Sequence, residues 1–461
     1  MRAAALRIYH ALPASLQSAA AGLHGWRLSR WRYGPESDAL VAQALERDSW
    51  SPARWAEWRA DSLGLLLERA ATRVPYYQAA WSARRRAGDH ASPTLLENWP
   101  VLEKESLRAS PRAFLADDCS PRRMYQEHTS GTSGTPLTLW WSRATVRRWY
   151  ALFEARARRW HGVSRTDAWA IIGGQPVVPA SRRTPPFGVW NGALRQLYLS
   201  AYHIGAESVS WYVAELSRRR IAYVLGYPSA LDALARQILD HGLASPRLAV
   251  VITNAEPLYR FQRERIEAAF GCPVRETYGM AEIVAAASEC DAGRMHLWPE
   301  VGVTEVEEAR AAGAGAPLIC TGLLNPDMPL IRYQVGDDAL LGASRCECGR
   351  SLPVIDSLTG RHDDVLRTAD GRSIGRLDPV FKRELRIREA QIVQEELTRI
   401  RVRVVPAPGF GPDDRRAISD GLRLRMGDVR VEFEELAALP RSANGKLRAV
   451  ISNLPRPSGA P

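Results

Sequence analysis

Short β-rich runs at Trp169 to Ile172, Ala222 to Leu225 and Ala249 to Thr253 alternate with helical stretches around 144–160, 206–219, 229–242 and 257–270. Strands separated by helices of this length predict an α/β unit on a mainly parallel sheet. Such sheets bind ligands beyond the carboxyl ends of their strands, where the loops meet.

The 461 residues exceed what one compact core organises, so two or three domains are expected. Residues 35–90 read as helical, with Trp50, Trp55, Trp58, Leu63, Leu66 and Leu67 on a helix-like period before a break at Pro75. These tryptophans suit a core better than a cofactor site. After Gly360 the texture changes to β-runs near 391–394, 399–405 and 429–433 with a helical stretch near 412–425. The expected division is 1–90, a helical region packed on the main domain; 91–361, the main α/β domain; and 362–461, a small α+β module.

A net charge of +11 admits nucleic acid, an anionic membrane surface or phosphorylated small molecules as partners. No aromatic-flanked basic stripe, zinc-finger helix or RNA-binding signature accompanies it, so nucleic acid is not the expected partner. The first 34 residues carry Arg2, Arg7, Arg27, Arg30 and Arg32 without one acidic residue, interleaved with apolar side chains. That suits a helix pair packed on the body, the favoured reading, or peripheral contact with an anionic membrane. The apolar run is broken by Pro13, Gln17 and His24, unlike a signal peptide, and no stretch reaches the roughly 18 residues of a membrane span. With Cys119, Cys272, Cys290, Cys320, Cys346 and Cys348 and no secretion signal, a reducing cytoplasm is the expected location.

The string His128-Thr129-Ser130-Gly131-Thr132-Ser133-Gly134-Thr135-Pro136 has no large side chain between its ends. Its glycines let successive N–H groups converge on an anion and its hydroxyls add donors, so it suits a polyphosphate as well as a solvated turn. It lacks the lysine of a Gly-x-x-x-x-Gly-Lys-Ser/Thr loop. Of 62 basic residues only Lys104, Lys382 and Lys446 are lysines. Lys446 ends the string Arg441-Ser442-Ala443-Asn444-Gly445-Lys446, where a tight turn presents a compact ammonium that a planar guanidinium does not imitate.

Further strings follow in order: Gly226-Tyr227-Pro228-Ser229, Ala255-Glu256-Pro257, Tyr278-Gly279-Met280-Ala281-Glu282, Arg332-Tyr333-Gln334-Val335-Gly336-Asp337, Cys346-Glu347-Cys348-Gly349-Arg350 and Gly360-Arg361-His362-Asp363-Asp364. With the phosphate loop and the Asn-Gly-Lys turn, they resemble the adenylate-forming superfamily of acyl-CoA synthetases, luciferases and peptide-synthetase adenylation domains. The likeness runs from about residue 70 to about 450. It is nearest to the phenylacetate-CoA ligase branch, including CapK-type proteins linked to polysaccharide biosynthesis.

The resemblance implies a large adenylation domain of mainly parallel sheets and a small mobile C-terminal domain. It implies ATP, Mg²⁺ and coenzyme A as cofactors and a small-molecule carboxylic acid as substrate. Carried over by motif, Thr129, Ser130, Gly131, Thr132, Ser133 and Gly134 would hold the β- and γ-phosphates. Tyr278 and Gly279 would meet adenine, with Glu256 near its pocket, and Asp337 and Arg361 would hold the ribose. Glu282 would serve Mg²⁺, Asp363 would be the hinge, and Lys446 would be the catalytic lysine that neutralises charge at the α-phosphate. Tyr202, His203, Tyr227 and Asn254 are candidates for the acid pocket.

Two departures bear on rate. The family commonly has lysine where Thr135 stands and threonine where Ala281 stands, each near a phosphate. Losing one transition-state donor can cost on the order of a hundredfold. Two other readings therefore stay open beside a coenzyme A ligase: an enzyme that delivers the acyl group to a carrier-protein thiol or a hydroxyl, and a catalytically inactive nucleotide-binding protein linked to polysaccharide biosynthesis. Cys290, His296, Cys346 and Cys348 form a chemically complete structural Zn²⁺ set, or equally two buried thiols, a surface cysteine and an unrelated histidine.

Overall fold

The computed structural model describes residues 8–128, 137–173, 175, 177–179, 182–306, 316–342, 345–359, 366–369, 373–374, 380, 385–441 and 448–454. A hairpin of β1 (Tyr125–His128) and β2 (Thr138–Trp141) precedes β3 (Trp169–Gly173), β4 (Gly188–Asn191), β5 (Gln196–Ser200), β6 (Tyr223–Gly226), β7 (Val250–Thr253) and β8 (Val274–Gly279). Then come β9 (Ala286–Glu289), β10 (Met295–Leu297), β11 (Gly302–Val306), β12 (Ala316–Gly322), β13 (Tyr333–Gly342) and β14 (Val354–Thr359). From β3 to β14 these strands join in one sheet, ordered β11-β12-β13-β14-β10-β9-β8-β7-β6-β3-β5-β4.

The run β5-β3-β6-β7-β8 is parallel, and the neighbours from β8 round to β11 are antiparallel. The parallel strands alternate between two apolar faces. Ala170, Ile172, Val224 and Val251 pack under the helices Val209–Arg218, Pro228–Asp240 and Arg260–Phe270, while Trp169, Tyr223, Leu225, Val250 and Ile252 face the other way with Val163. Burial on both faces is why these runs carry almost no polar residue. Truncating one of them, as in Ile172→Ala, would cost about 2–5 kcal/mol.

The N-terminal helices start where residue type demands it. Ser51 accepts the Arg54 N–H at 3.2 Å with Pro52 at the first helical position, and Pro75 opens the next helix after ending this one. Leu66, Leu67 and Ala70 of Pro52–Arg73, and Tyr77 and Trp81 of Pro75–Arg86, join Trp99, Phe114, Trp141, Ala286, Trp298 and Tyr333 in a single core. The helix Ala14–Arg32 packs on β4, leaving Leu16, Leu23 and Trp26 exposed. No helix among the described residues is long and apolar enough to cross a membrane.

The C-terminal part adds a short ladder of β15 (Leu366–Arg367) and β16 (Ser373–Ile374). Its main sheet is built from β17 (Ile387–Glu396), β18 (Arg399–Pro406), β19 (Arg430–Glu435) and β20 (Val450–Ser452), ordered β19-β18-β17-β20. Ile418, Leu422 and Met426 of the helix Pro412–Met426 cover Ile392, Ile400, Val402 and Val404, and Phe261 of the large domain packs against this core.

Candidate active site

The carboxyl ends of β6, β7 and β8 meet at one edge. Beyond β7 the Asn254 N–H bonds to Gly226 O at 3.1 Å, and Ala255 turns the chain at φ +66°. That turn aims the Glu256 side chain at the neighbouring helix Pro228–Asp240, where Oε2 accepts the Ser229 N–H at 3.0 Å. A carboxylate on a free first-turn N–H also complements the helix dipole.

At the end of β8 the Tyr278 hydroxyl donates to Asp337 Oδ2 at 2.7 Å, although 59 residues separate them. Burial, with the Asp337 carboxylate alongside, holds that hydroxyl well above the ordinary tyrosine range. The phenol is therefore a donor under all working conditions. A Cβ on Gly279 would stand 3.4 Å from the Trp149 ring, an ordinary packing distance, so the backbone here lies close against that ring.

Glu282 follows, with Ile283 held at φ +47°, a conformation that β-branched residues rarely adopt. Glu282 is buried, and its Oε1 accepts from the Tyr333 hydroxyl at 3.1 Å and stands 3.6 Å from Lys104 Nζ. Lys104 is delivered by chain pairing: Leu102 N–H bonds to Arg332 O at 2.9 Å and Gln334 N–H to Leu102 O at 3.0 Å, which pins the segment beside β13. Motif reading did not mark Lys104 as a site residue. The signal was its rarity, one of three lysines in an arginine-rich chain.

A cavity of about 390 Å³ opens at Glu282 and Tyr278, with Asn254, Ala255 and Gly279 also lining it. Its walls are largely aromatic, formed by Trp31, Tyr125, Trp141, Trp149, Tyr150 and Trp298. Tyr202, His203 and Tyr227 are not among the lining residues. The His203 ring stacks on Phe187 at 5.1 Å with Nδ1 2.8 Å from Ser200 Oγ, Tyr202 is exposed, and Tyr227 caps the start of Pro228–Asp240. The loop residues Thr129 to Gly134, Arg361, Asp363 and Lys446 lie outside the described residues.

Cys290, His296, Cys346 and Cys348 converge, their ligand atoms all within 4.8 Å of one another. Zinc–sulfur bonds of about 2.3 Å at tetrahedral angles place two sulfurs ~3.8 Å apart. Cys290 Sγ and Cys346 Sγ are 3.7 Å apart, far beyond a disulfide. The His296 Nδ1–H donates to Leu352 O at 3.0 Å, which leaves Nε2, 3.4 Å from Cys348 Sγ, as the ligand atom. Trp55 and Trp160 bury the cluster.

Residues 366–453 match the family model described as the CapK C-terminal domain. Protein CapK of Staphylococcus aureus is 24% identical over 393 residues, 82% of this chain and 85% of that protein. The phenylacetate-coenzyme A ligase of Thermus thermophilus is 27% identical over 203 residues, 39% of this chain and 44% of that protein. A 2-hydroxyisobutyryl-CoA ligase in its postadenylation state with 2-HIB-AMP overlays at TM-score 0.66 and 21% identity, covering 88% of this chain and 91% of that one. The chain is similar to CapK and has the fold of the adenylate-forming ligases. The same ligase in its thioesterification state, with 2-HIB-AMP and CoA, overlays at TM-score 0.52 over the same shares.

One contact of the CapK-like C-terminal part reaches this edge. Arg441 Nη1 donates to Ser229 Oγ at 3.0 Å, on the residue whose N–H holds Glu256. Arg441 opens the string that ends at Lys446.

Proposed function

We propose that this protein activates a carboxylic acid with ATP as an acyl adenylate and then passes the acyl group to coenzyme A. The observation that most supports the reading is the Tyr278–Asp337 hydrogen bond beside Glu282 at the mouth of an aromatic cavity. It joins an aromatic face suited to a purine, a carboxylate suited to ribose hydroxyls and a carboxylate suited to a hard cation in one place.

The acid's carboxylate is ionised at neutral pH, so no general base is required. One of its oxygens bonds to the α-phosphorus as the bond to the pyrophosphate oxygen breaks, and catalysis reduces to alignment and charge neutralisation. In this reading Tyr278 and Gly279 flank adenine with Glu256 nearby, Asp337 and Arg361 hold the ribose, and Thr129 to Gly134 wrap the distal phosphates. Lys446 offsets charge at the α-phosphate, and Asp363 is the hinge about which the C-terminal module turns. Glu282 fits Mg²⁺ as a single carboxylate, since that ion keeps waters and takes phosphate oxygens, where it screens the phosphate charge. The Cys290, His296, Cys346 and Cys348 set fits Zn²⁺ with four protein ligands, a closed site whose role is to hold two loops together.

Acid-dependent exchange of labelled pyrophosphate into ATP, run over aromatic and aliphatic acids, tests the reading; no exchange with any acid would sink it. Coenzyme A against carrier-protein acceptors then tests the second half.

A further inference from the structure

The far end of the cavity holds a charge that adenylation chemistry does not use. Helix Ala14–Arg32 is seated by Gly25, where a Cβ would stand 2.1 Å from Asn191 Oδ1 of β4. That close approach fixes which side of the helix faces in. One turn on, Leu28, Trp31 and Arg32 become walls of the cavity.

Arg32 places its guanidinium carbon 4.5 Å from the centre of the Tyr150 ring and has Tyr33, Tyr125 and Tyr198 around it. Among the described residues it makes no ion pair. An acidic group that feels its charge is Glu127, on the inward face of β1 beside Tyr125, whose Oε1 accepts the His128 N–H at 3.1 Å. Burial raises the Glu127 pKa while Arg32 pulls it down, and the two side chains form no ion pair. A cation–π contact is worth about 0.5–2 kcal/mol, less than the cost of desolvating an ion. A guanidinium lining an aromatic cavity with tyrosines for company is a ready site for an anion.

We infer that the acid substrate carries a second anionic group at the end remote from its reacting carboxylate, and that Arg32 binds it while the tryptophan walls hold a flat body between the two. The inference takes from the proposed function only that this cavity receives the acid. Arg32 thus becomes a specificity residue, rejecting neutral acids of the same shape because they leave the half-buried guanidinium without an anion. Its neighbours are the tyrosines of the far wall, whereas the cation beside Glu282 is Lys104.

The test uses matched acids, terephthalate against para-toluate and para-carboxyphenylacetate against para-methylphenylacetate, with both direct binding by calorimetry and pyrophosphate exchange. The full-length protein should bind at least one dianion more tightly than its methyl isostere by on the order of 100-fold, and Arg32→Gln should erase most of that preference. Arg32→Met should instead favour the methyl isostere, so one folded variant suffices. Equal binding of the members of every pair would overturn the inference. So would a preference untouched in both variants, or a loss confined to ATP affinity. Arg32-dependent binding of the dianion without any exchange would leave this inference standing and bring down the adenylation reading.

Discussion

Arg441 and Ser229, 212 residues apart, are joined by a 3.0 Å hydrogen bond, and the other end of the guanidinium is held by Glu389 at 2.7 Å. The C-terminal module is thereby tied to the helix whose first N–H groups hold Glu256. A hydrogen bond from a charged donor contributes about 1.5–3 kcal/mol. Arg441→Ala is expected to slow pyrophosphate exchange by roughly 10-fold or more. Ser229→Ala should do the same, and the double variant should be no worse than either single. Additive losses would show that the bond does not couple the two lobes.

Lys446→Ala should abolish adenylate formation yet leave thioester formation from a supplied acyl adenylate largely intact. On the proposed function the C-terminal module turns away for the second step and takes the lysine with it. Equal loss in both half-reactions would mean that the turn has been misread.

Glu282→Gln is expected to lose exchange activity by on the order of 100-fold, and raised Mg²⁺ should recover little of it. Lys104→Ala should also be impaired, because Glu282 is then left buried with one fewer partner. Lys104→Arg should not restore full rate, since a planar guanidinium does not replace a point charge. Wild-type activity in that variant would remove Lys104 from the site.

Metal analysis of the purified protein should find about one Zn²⁺ per chain, and Cys346→Ser should retain far less. Its Tm should fall by about 5 °C or more, because the metal joins loops that otherwise lose a shared anchor. A full equivalent of zinc in the variant would count against these ligands.

Glu276 supplies a pH dependence of stability. Burial first, then repulsion from Glu289, pushes its pKa from 4.5 up to about 7, against an opposing pull from Arg263. The folded chain keeps this proton where the unfolded chain has released it. Stability should therefore decline as pH rises from about 4.5 to about 7, by on the order of 3 kcal/mol at most. Glu276→Gln should flatten that part of the Tm–pH curve; an unchanged slope would assign it to other groups.

The parallel strands β3, β6 and β7 were legible because each is a short apolar run bounded by helical periodicity. β4, β5 and the antiparallel strands from β9 to β14 were not. β13 mixes Gln334, Asp337 and Asp338 with apolar residues and pairs with strands whose register depends on distant partners. Tyr278, Asp337 and Glu282 were legible one by one through their strings, but not the bond between the first two or the Tyr333 and Lys104 contacts of the third. The cysteine and histidine types were legible as a ligand set. Their convergence within 4.8 Å was not.

By itself the order of residues determined the local matters: which runs become strands or helices, which turns can cradle a phosphate, and which side chains have the chemistry for a nucleotide. Those follow from backbone preference and periodicity, which act over a few residues. Only the tertiary structure decided that Arg32, Tyr125, Tyr150 and Glu282 share one cavity and that Lys104 stands beside Glu282. Such juxtapositions are set by packing between segments distant in sequence, where no local preference operates.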